Sequence, residues 1–336
     1  MIGIMADGNQ MIGMGHFVRC SGIADILTAY EKSVIFLISA DSDSSFFGMR
    51  KDGYYQLKIK TKSGWCIDEV SDVIRELGIT TLIIDSYRVT QEAFSILRSV
   101  SKLVYIDDLD MYDCDTDILI NFNFLVDKKK YLQSHIRNRL LYTGIQYYPL
   151  RREFVGKRKQ AIEKSVRTVL VTSSSTDPYK CVLQIVSAIN PAEFPDIKFQ
   201  VLLGRFYSEE YKTELKERLS AYGNVDFILW GEQIAYVIAS SDLVISPGSS
   251  MIVEALSVNT PCISYQFVDN HHPFCVQLEE MGIADFIGIF PNQSLDKRIK
   301  SLFSDELKFE KRENQSKIYS SLFDGRGLER IAEILM

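Results

Sequence analysis

Short runs of consecutive apolar residues recur along the chain, and each gives way to a stretch with helical spacing. In the first half the runs cover 1–5, 33–39, Thr81–Asp85, 103–107, Ile118–Asn121 and Leu140–Thr143. In the second half they cover 166–172, Lys198–Leu203, Val225–Leu229, 243–246 and 262–265, separated by helical stretches such as 209–222. Runs that are apolar at successive positions suit strands covered on both faces, so the rhythm predicts parallel sheets flanked by helices. Between 144 and 165 the rhythm breaks into Arg151-Arg152-Glu153 and Lys157-Arg158-Lys159, which reads as a linker. A chain of 336 residues also exceeds what one core usually holds, about 250–300 residues. The expectation is α/β: two Rossmann-like, doubly wound domains, 1–150 and 165–336, facing across a cleft. From 293 onward two or three amphipathic helices are predicted, broken at Gly325-Arg326-Gly327, and these are candidates to pack back on the first domain.

In doubly wound sheets ligands bind beyond the carboxyl ends of the strands, so the residues that follow each run carry the candidate chemistry. After the first run, Gly13-Met14-Gly15-His16-Phe17-Val18-Arg19 places a histidine on a glycine turn at a helix entrance. Glycine lets the backbone bend and approach a ligand closely, and the helix start favours an anion and a neutral imidazole able to act as a base. A plain helix-opening turn with a surface histidine is the competing reading. Other strand ends carry Asp85-Ser86-Tyr87, Asp107-Asp108, and Asn121 with Asn123; each alone could be a cap or turn residue, but they recur at one end. In the second half, Ser173-Ser174-Ser175-Thr176-Asp177 and Pro247-Gly248-Ser249-Ser250 are small-residue turns expected to lead into helices. Such turns can wrap a diphosphate with N–H and O–H donors, with serine N-capping as the alternative. Glu254, one turn into the second of these helices, could accept both hydroxyls of a ribose. Asn270-His271-His272 adds amide and imidazole groups after a further strand.

Composition narrows the partners. Hydrophobic residues make up 46% and charged residues 24%, a soluble globular balance. The net charge of −6, with neither half basic, counts against nucleic acid. The six cysteines, Cys20, Cys66, Cys114, Cys181, Cys262 and Cys275, form no Cys-x-x-Cys pair and no zinc spacing with histidine, and the pair His271-His272 lacks a suitably spaced carboxylate; no metal or other cofactor is expected. With no secretory leader pattern and no run of 18 apolar residues, the chain is expected to be cytoplasmic and monomeric, without stable membrane insertion.

The ordered set of motifs resembles the UDP-sugar hydrolases of pseudaminic acid biosynthesis, related in fold to the GT-B glycosyltransferases that include MurG-like enzymes. Its carriers are Gly13 to Arg19, Leu82 to Tyr87, Asp107-Asp108, 117–121, Gly144 through Phe154, Ser174 to Asp177, Ser249 to Leu256, and Asn270. The resemblance implies hydrolysis of UDP-2,4-diacetamido-2,4,6-trideoxy-β-L-altropyranose at the anomeric carbon, with inversion. It implies His16 as general base, with Asn270, Asp85 and Tyr87 also catalytic. It further implies that Gly13, Gly15, Arg19, Asp108, Ser174, Ser175, Thr176, Ser249, Ser250, Glu254 and His271 bind the UDP-sugar. Two departures touch the site: Ser174-Ser175 stands where the family has a Gly-Gly pair, and His271 where it commonly has Gln. A UDP-sugar-dependent inverting glycosyltransferase and a non-catalytic sugar-nucleotide-binding protein are the alternatives.

Overall fold

The computed structural model describes residues 1–48, 55–59, 64–110, 113–124, 126–134, 137, 139–231 and 233–336. It divides into two compact units, Met1–Arg152 with Gly325–Met336, and Glu153–Asp324. The second unit therefore begins at Glu153 rather than at 165. The basic stretch read as a linker is tied into it: Lys159 N–H donates to Val258 O, Asn259 Nδ2 donates to Lys159 O, and the buried Arg312 donates to the carbonyls of Glu163 and Lys164. Composition alone does not reveal those partners.

The first unit holds a seven-stranded parallel sheet. Its strands are β1 (Ile2–Ala6), β2 (Val34–Ser39), β3 (Tyr55–Ile59), β4 (Thr81–Asp85), β5 (Lys102–Ile106), β6 (Ile118–Asn121) and β7 (Leu140–Thr143), in the order β3-β2-β1-β4-β5-β6-β7. The second unit holds six parallel strands: β8 (Thr168–Thr172), β9 (Lys198–Leu203), β10 (Val225–Leu229), β11 (Leu243–Pro247), β12 (Cys262–Gln266) and β13 (Ala284–Ile289), in the order β10-β9-β8-β11-β12-β13. Strand order reverses direction between β1 and β4 in one sheet and between β8 and β11 in the other. These are the topological switch points at which doubly wound sheets open a crevice. The central strands β1 and β11 are buried along their whole length and β4 beyond Thr81, as the uninterrupted apolar runs require.

The helix Gly15–Ala29 buries Phe17 and also His16, Cys20, Ile23, Ala24 and Leu27, the latter five an i, i+4, i+7, i+8, i+11 stripe that turns His16 and Cys20 inward together. Of the three helices near the C-terminus, Asp296–Glu306 and Phe309–Leu322 belong to the second unit, while Gly327–Leu335 belongs to the first. That last helix buries Leu328, Ile331, Ala332 and Leu335. It starts so close to the chain at Tyr148 that a Cβ on Gly327 would lie 1.9 Å from the Tyr148 carbonyl oxygen, and Leu328 packs on Gly22.

Candidate functional site

In the first unit the sequence Asp7 to Met14 forms the loop that carries the chain from β1 to the Gly15–Ala29 helix. Asn9 and Gly13 exchange two backbone hydrogen bonds, 3.2 and 2.8 Å, and the Asn9 carboxamide oxygen accepts from the N–H groups of Met11 and Ile12. Gly13 has φ of +85°, which suits glycine, so this position is set by the turn. Gly15 differs: among the described residues a Cβ there would meet nothing within 4 Å, so they leave space beside it. Met14, the residue before the helix, makes no side-chain cap to its first turn.

His16 is buried, and its Nδ1 lies 2.7 Å from Oδ1 of Asp85 at the end of β4, across the switch point. A carboxylate can only accept, so this contact places a proton on Nδ1, and in a neutral ring the lone pair is then on Nε2. Arg19, one helical turn on, donates to both oxygens of Asp85, from Nε at 2.6 Å and from Nη2 at 2.5 Å, and from Nη1 to Asp108 at 2.6 Å. The close approach of Arg19 Nη2 to His16 Nδ1, 3.0 Å, follows from both sharing Asp85 Oδ1. Cys20 Sγ donates to Asp85 at 3.2 Å, and Tyr87 donates its hydroxyl to Asp108 at 2.9 Å while meeting the His16 ring edge-on at 4.4 Å. The guanidinium of Arg19 also lies over the Phe122 ring.

Burial alone would raise the Asp85 carboxyl, but Arg19 and His16 outweigh it and hold the group well below the usual carboxylate range. Burial and the neighbouring Asp108 push the Tyr87 hydroxyl far up, so it stays a donor. Two carboxylates against one guanidinium leave the cluster with one net negative charge when His16 is neutral. Asp108 keeps Oδ1 buried without a hydrogen-bond partner among the described residues. Asp107, by contrast, is structural: it accepts from the N–H groups of Leu109 and Asp110 and from the Tyr131 hydroxyl. Asn121 likewise accepts from its neighbour Asn123 N–H.

In the second unit the two small-residue turns follow β8 and β11, again on either side of the switch point. They meet through a 3.0 Å hydrogen bond between the hydroxyls of Ser174 and Ser249. Ser174 has φ of +56°, the left-handed region, which explains why glycine would suit this position. The carbonyls of Ser174 and Ser175 press on Gly204, where a Cβ would lie 2.5 and 2.7 Å from them. The turn after β8 does not open a helix directly. Asp177 intervenes and accepts from the N–H groups of Cys181 and Val182 and from the Tyr211 hydroxyl, so the start of the Cys181–Ile189 helix is already occupied by a protein carboxylate. Thr176, half-buried, stands just before it. The second turn leads into a helix as expected: Ser249 precedes the helix Ser250–Ser257 without capping it by its side chain, and Glu254 is buried one turn in.

Gly248 lets this turn pass beneath His271, since a Cβ would lie 3.2 Å from the His271 Cβ. Burial lowers His271 to about 4, so its imidazole is neutral at neutral pH, and its buried Nδ1 has no hydrogen-bond partner among the described residues. His272 is separate, bonded to Gln266 at 2.7 Å. Asn270 lies in the short turn Asp269–His271, and its side chain falls outside the described residues. Among the described residues no three His, Cys, Asp or Glu side chains gather as metal ligands, and no helix is long and apolar enough to cross a membrane.

The pattern reading missed Asp7, Cys20, Trp65 and Arg88. Asp7 directly follows β1, while Asp85 ends β4, and Cys20 is one turn from His16, so both positions were marked by spacing. Trp65 and Arg88 carry no such signal.

Two Rossmann-like units, each with its polar groups at the switch point, define the fold of the GT-B glycosyltransferases. The crystal structure of Acinetobacter baumannii MurG superposes with a TM-score of 0.68 at 11% identity, covering 99% of this chain and 98% of that one. In sequence the chain is similar to the Bacillus subtilis spore coat polysaccharide biosynthesis protein SpsG, 21% identical over 99% of this chain and 97% of that protein. It is also a distant relative of the Campylobacter jejuni UDP-2,4-diacetamido-2,4,6-trideoxy-β-L-altropyranose hydrolase, 23% identical over 82% of this chain and 95% of that enzyme. No family model matches the chain.

Proposed function

We propose that this chain is a sugar-nucleotide enzyme that hydrolyses a UDP-linked amino-deoxy sugar at its anomeric carbon, with inversion, in nonulosonic acid biosynthesis. The observation that carries the reading is the His16–Asp85 contact, because an imidazole whose Nδ1–H is held by a buried, ionised carboxylate presents Nε2 as a base. In the proposed step Nε2 takes a proton from water, the water oxygen bonds to the anomeric carbon, and the bond from that carbon to the diphosphate oxygen breaks with its electron pair leaving on UDP. His16 becomes an imidazolium as the sugar ring gains positive character, and the net negative charge of Asp85, Arg19 and Asp108 favours both. Arg19 is saturated by two carboxylates, so its proposed role is to hold Asp85 and Asp108 rather than to bind phosphate. Tyr87 braces Asp108, and the space beside Gly15 admits the sugar.

For the nucleotide, the start of the Ser250–Ser257 helix, which the Ser249 side chain leaves uncapped, is with Ser249 and Ser250 the better diphosphate ligand, with Ser174 joined to it and Glu254 assigned to the ribose. Ser175 and Thr176 support that turn, Gly13 shapes the loop before His16, and Asn270 and His271 are assigned to the sugar. The similarity to the Campylobacter hydrolase supports water as the acceptor, whereas the MurG-like fold favours the second reading, transfer to an acceptor hydroxyl. Incubating the protein with UDP-sugars in acceptor-free buffer containing a chelator separates them. Equal release of UDP and free sugar, with the inverted anomer appearing first by proton NMR, is expected; no release until an acceptor is added would overturn hydrolysis.

A further inference from the structure

A second polar cluster sits at the same switch point, on the opposite side of β4 from His16, and the reaction described above does not use it. Successive residues after β4 alternate: Asp85 and Tyr87 meet the His16 cluster, while Ser86 and Arg88 meet Asp7. The Asp7 carboxylate is buried and accepts from Ser39 Oγ at 3.0 Å, from Trp65 Nε1 at 3.2 Å, from Ser86 Oγ and from Arg88 Nη2. Arg88 reaches on to Asp41 at 2.7 Å. The four contacts to Asp7 fix the residue from which the loop to His16 departs. Gly8, the next residue, donates to Ser42 Oγ, its carbonyl accepts from Asp43 N–H at 2.6 Å, and the Phe17 ring sits 2.5 Å from where a Gly8 Cβ would be.

We propose that Arg88, acting through Asp7, is a positioning residue for His16. Two routes connect them. Asp7 fixes Gly8, on which Phe17 rests, and Phe17 is the residue after His16 in the first helical turn. Asp7 also holds Ser86, the residue after Asp85, and Ala6 pairs with Asp85 across the two strands, so the ends of β1 and β4 are locked in register where Asp85 grips the imidazole. A base displaced by about 1 Å can lose about 10²-fold in rate without any change in its own chemistry. The inference rests on His16 being the base, and the test reads His16 both with and without turnover.

The experiment compares wild type, Arg88→Ala and Arg88→Lys, each with His16 intact and in a His16→Asn background. The readouts are kcat and KM for UDP-sugar hydrolysis and the ring resonances of ¹⁵N-histidine-labelled protein, with the His16 signals assigned by their loss in His16→Asn. The expected result for Arg88→Ala is a fall of about 10–10²-fold in kcat with KM little changed, and a shift in the His16 ring resonances. Arg88→Lys should restore most of both, and Arg88→Ala should cost nothing further once His16 is Asn. Unchanged His16 resonances in Arg88→Ala, or the same fold-loss in both backgrounds, overturns the proposal. If wild type hydrolyses no UDP-sugar, the functional reading fails while the resonances still decide whether Arg88 positions His16. Should Arg88→Ala not fold, Ser86→Ala, which removes one uncharged link to Asp7, is read by the same spectrum and must shift it.

Discussion

Replacing Asp85 with Asn tests the centre of the site with almost no change of shape. Asp85 is fully buried and accepts three hydrogen bonds from His16 and Arg19 within 2.7 Å, plus the Cys20 thiol. An amide offers one acceptor oxygen where the carboxylate offers two, and its NH₂ would face a guanidinium N–H. Arg19 would keep Asp108 as its one charged partner among the described residues, so a largely buried cation loses the other, a loss of roughly 3–5 kcal/mol. That is within the stability of an ordinary domain, so the variant should fold, with the first unit melting roughly 6–20 °C lower. The pH dependence has a defined sign. The folded-state carboxyl is depressed, so its stabilisation is fully present above the unfolded value of about 4 and is lost as the pH falls through the lower folded value. Asp85→Asn should therefore narrow the gap to wild type as the pH drops below about 4. Turnover, followed by UDP release, should fall by about 10²–10⁴-fold because the Nδ1 proton is no longer held. A variant that melts within 2 °C of wild type at pH 7, or that turns over at the wild-type rate, would falsify the account of Asp85 as the ionised partner of both His16 and Arg19.

His16→Asn should lower turnover by about 10²–10⁴-fold while calorimetry finds UDP affinity unchanged; weakened UDP binding would instead make His16 a nucleotide ligand. At Ser174, glycine relieves the left-handed backbone but loses the hydroxyl contact to Ser249, whereas alanine loses the contact and keeps the strain. Denaturant midpoints should place Ser174→Gly within about 1 kcal/mol of wild type and Ser174→Ala below both. Glu306 is buried, and burial lifts it to about 7 despite Lys311, so the folded state holds its proton more tightly and stability declines as the pH rises from about 4.3 toward 7. Glu306→Gln should accordingly stabilise the protein at pH 8 and not at pH 4, and parallel melting curves at the two pH values would contradict that.

The strands read most easily from the chain were those with uninterrupted apolar runs, and Ile118–Asn121 and Leu140–Thr143 appear with the bounds the pattern assigned. The two that escaped, β3 with Tyr-Gln-Leu-Lys-Ile and β13 with Ala-Asp-Phe-Ile-Gly-Ile, lie at sheet edges, where polar residues interrupt the run. At the site, sequence located Asp85, Tyr87 and Asp108 because strand ends are marked by polarity. It did not reveal that Arg19 is consumed by two of them, since pairing between residues 19, 85 and 108 is set by strand order, which a linear pattern does not contain. The same holds for Asp177, whose use as a helix cap depends on the length of the turn after β8.

The Gly327–Leu335 helix makes the first unit discontinuous along the chain, and this has a consequence for how the protein is made. During synthesis the segment Met1–Arg152 leaves the ribosome long before the helix that covers one side of Gly15–Ala29 exists. Until residues 325–336 emerge, Gly22 and its neighbours have no Leu328, Ile331 or Leu335 to pack on, three side chains worth roughly 1.5–3 kcal/mol each when buried. The unit that holds His16 should therefore reach its final stability only once residues 325–336 have emerged, so a chain stopped short of them would carry a finished second unit and an unfinished first.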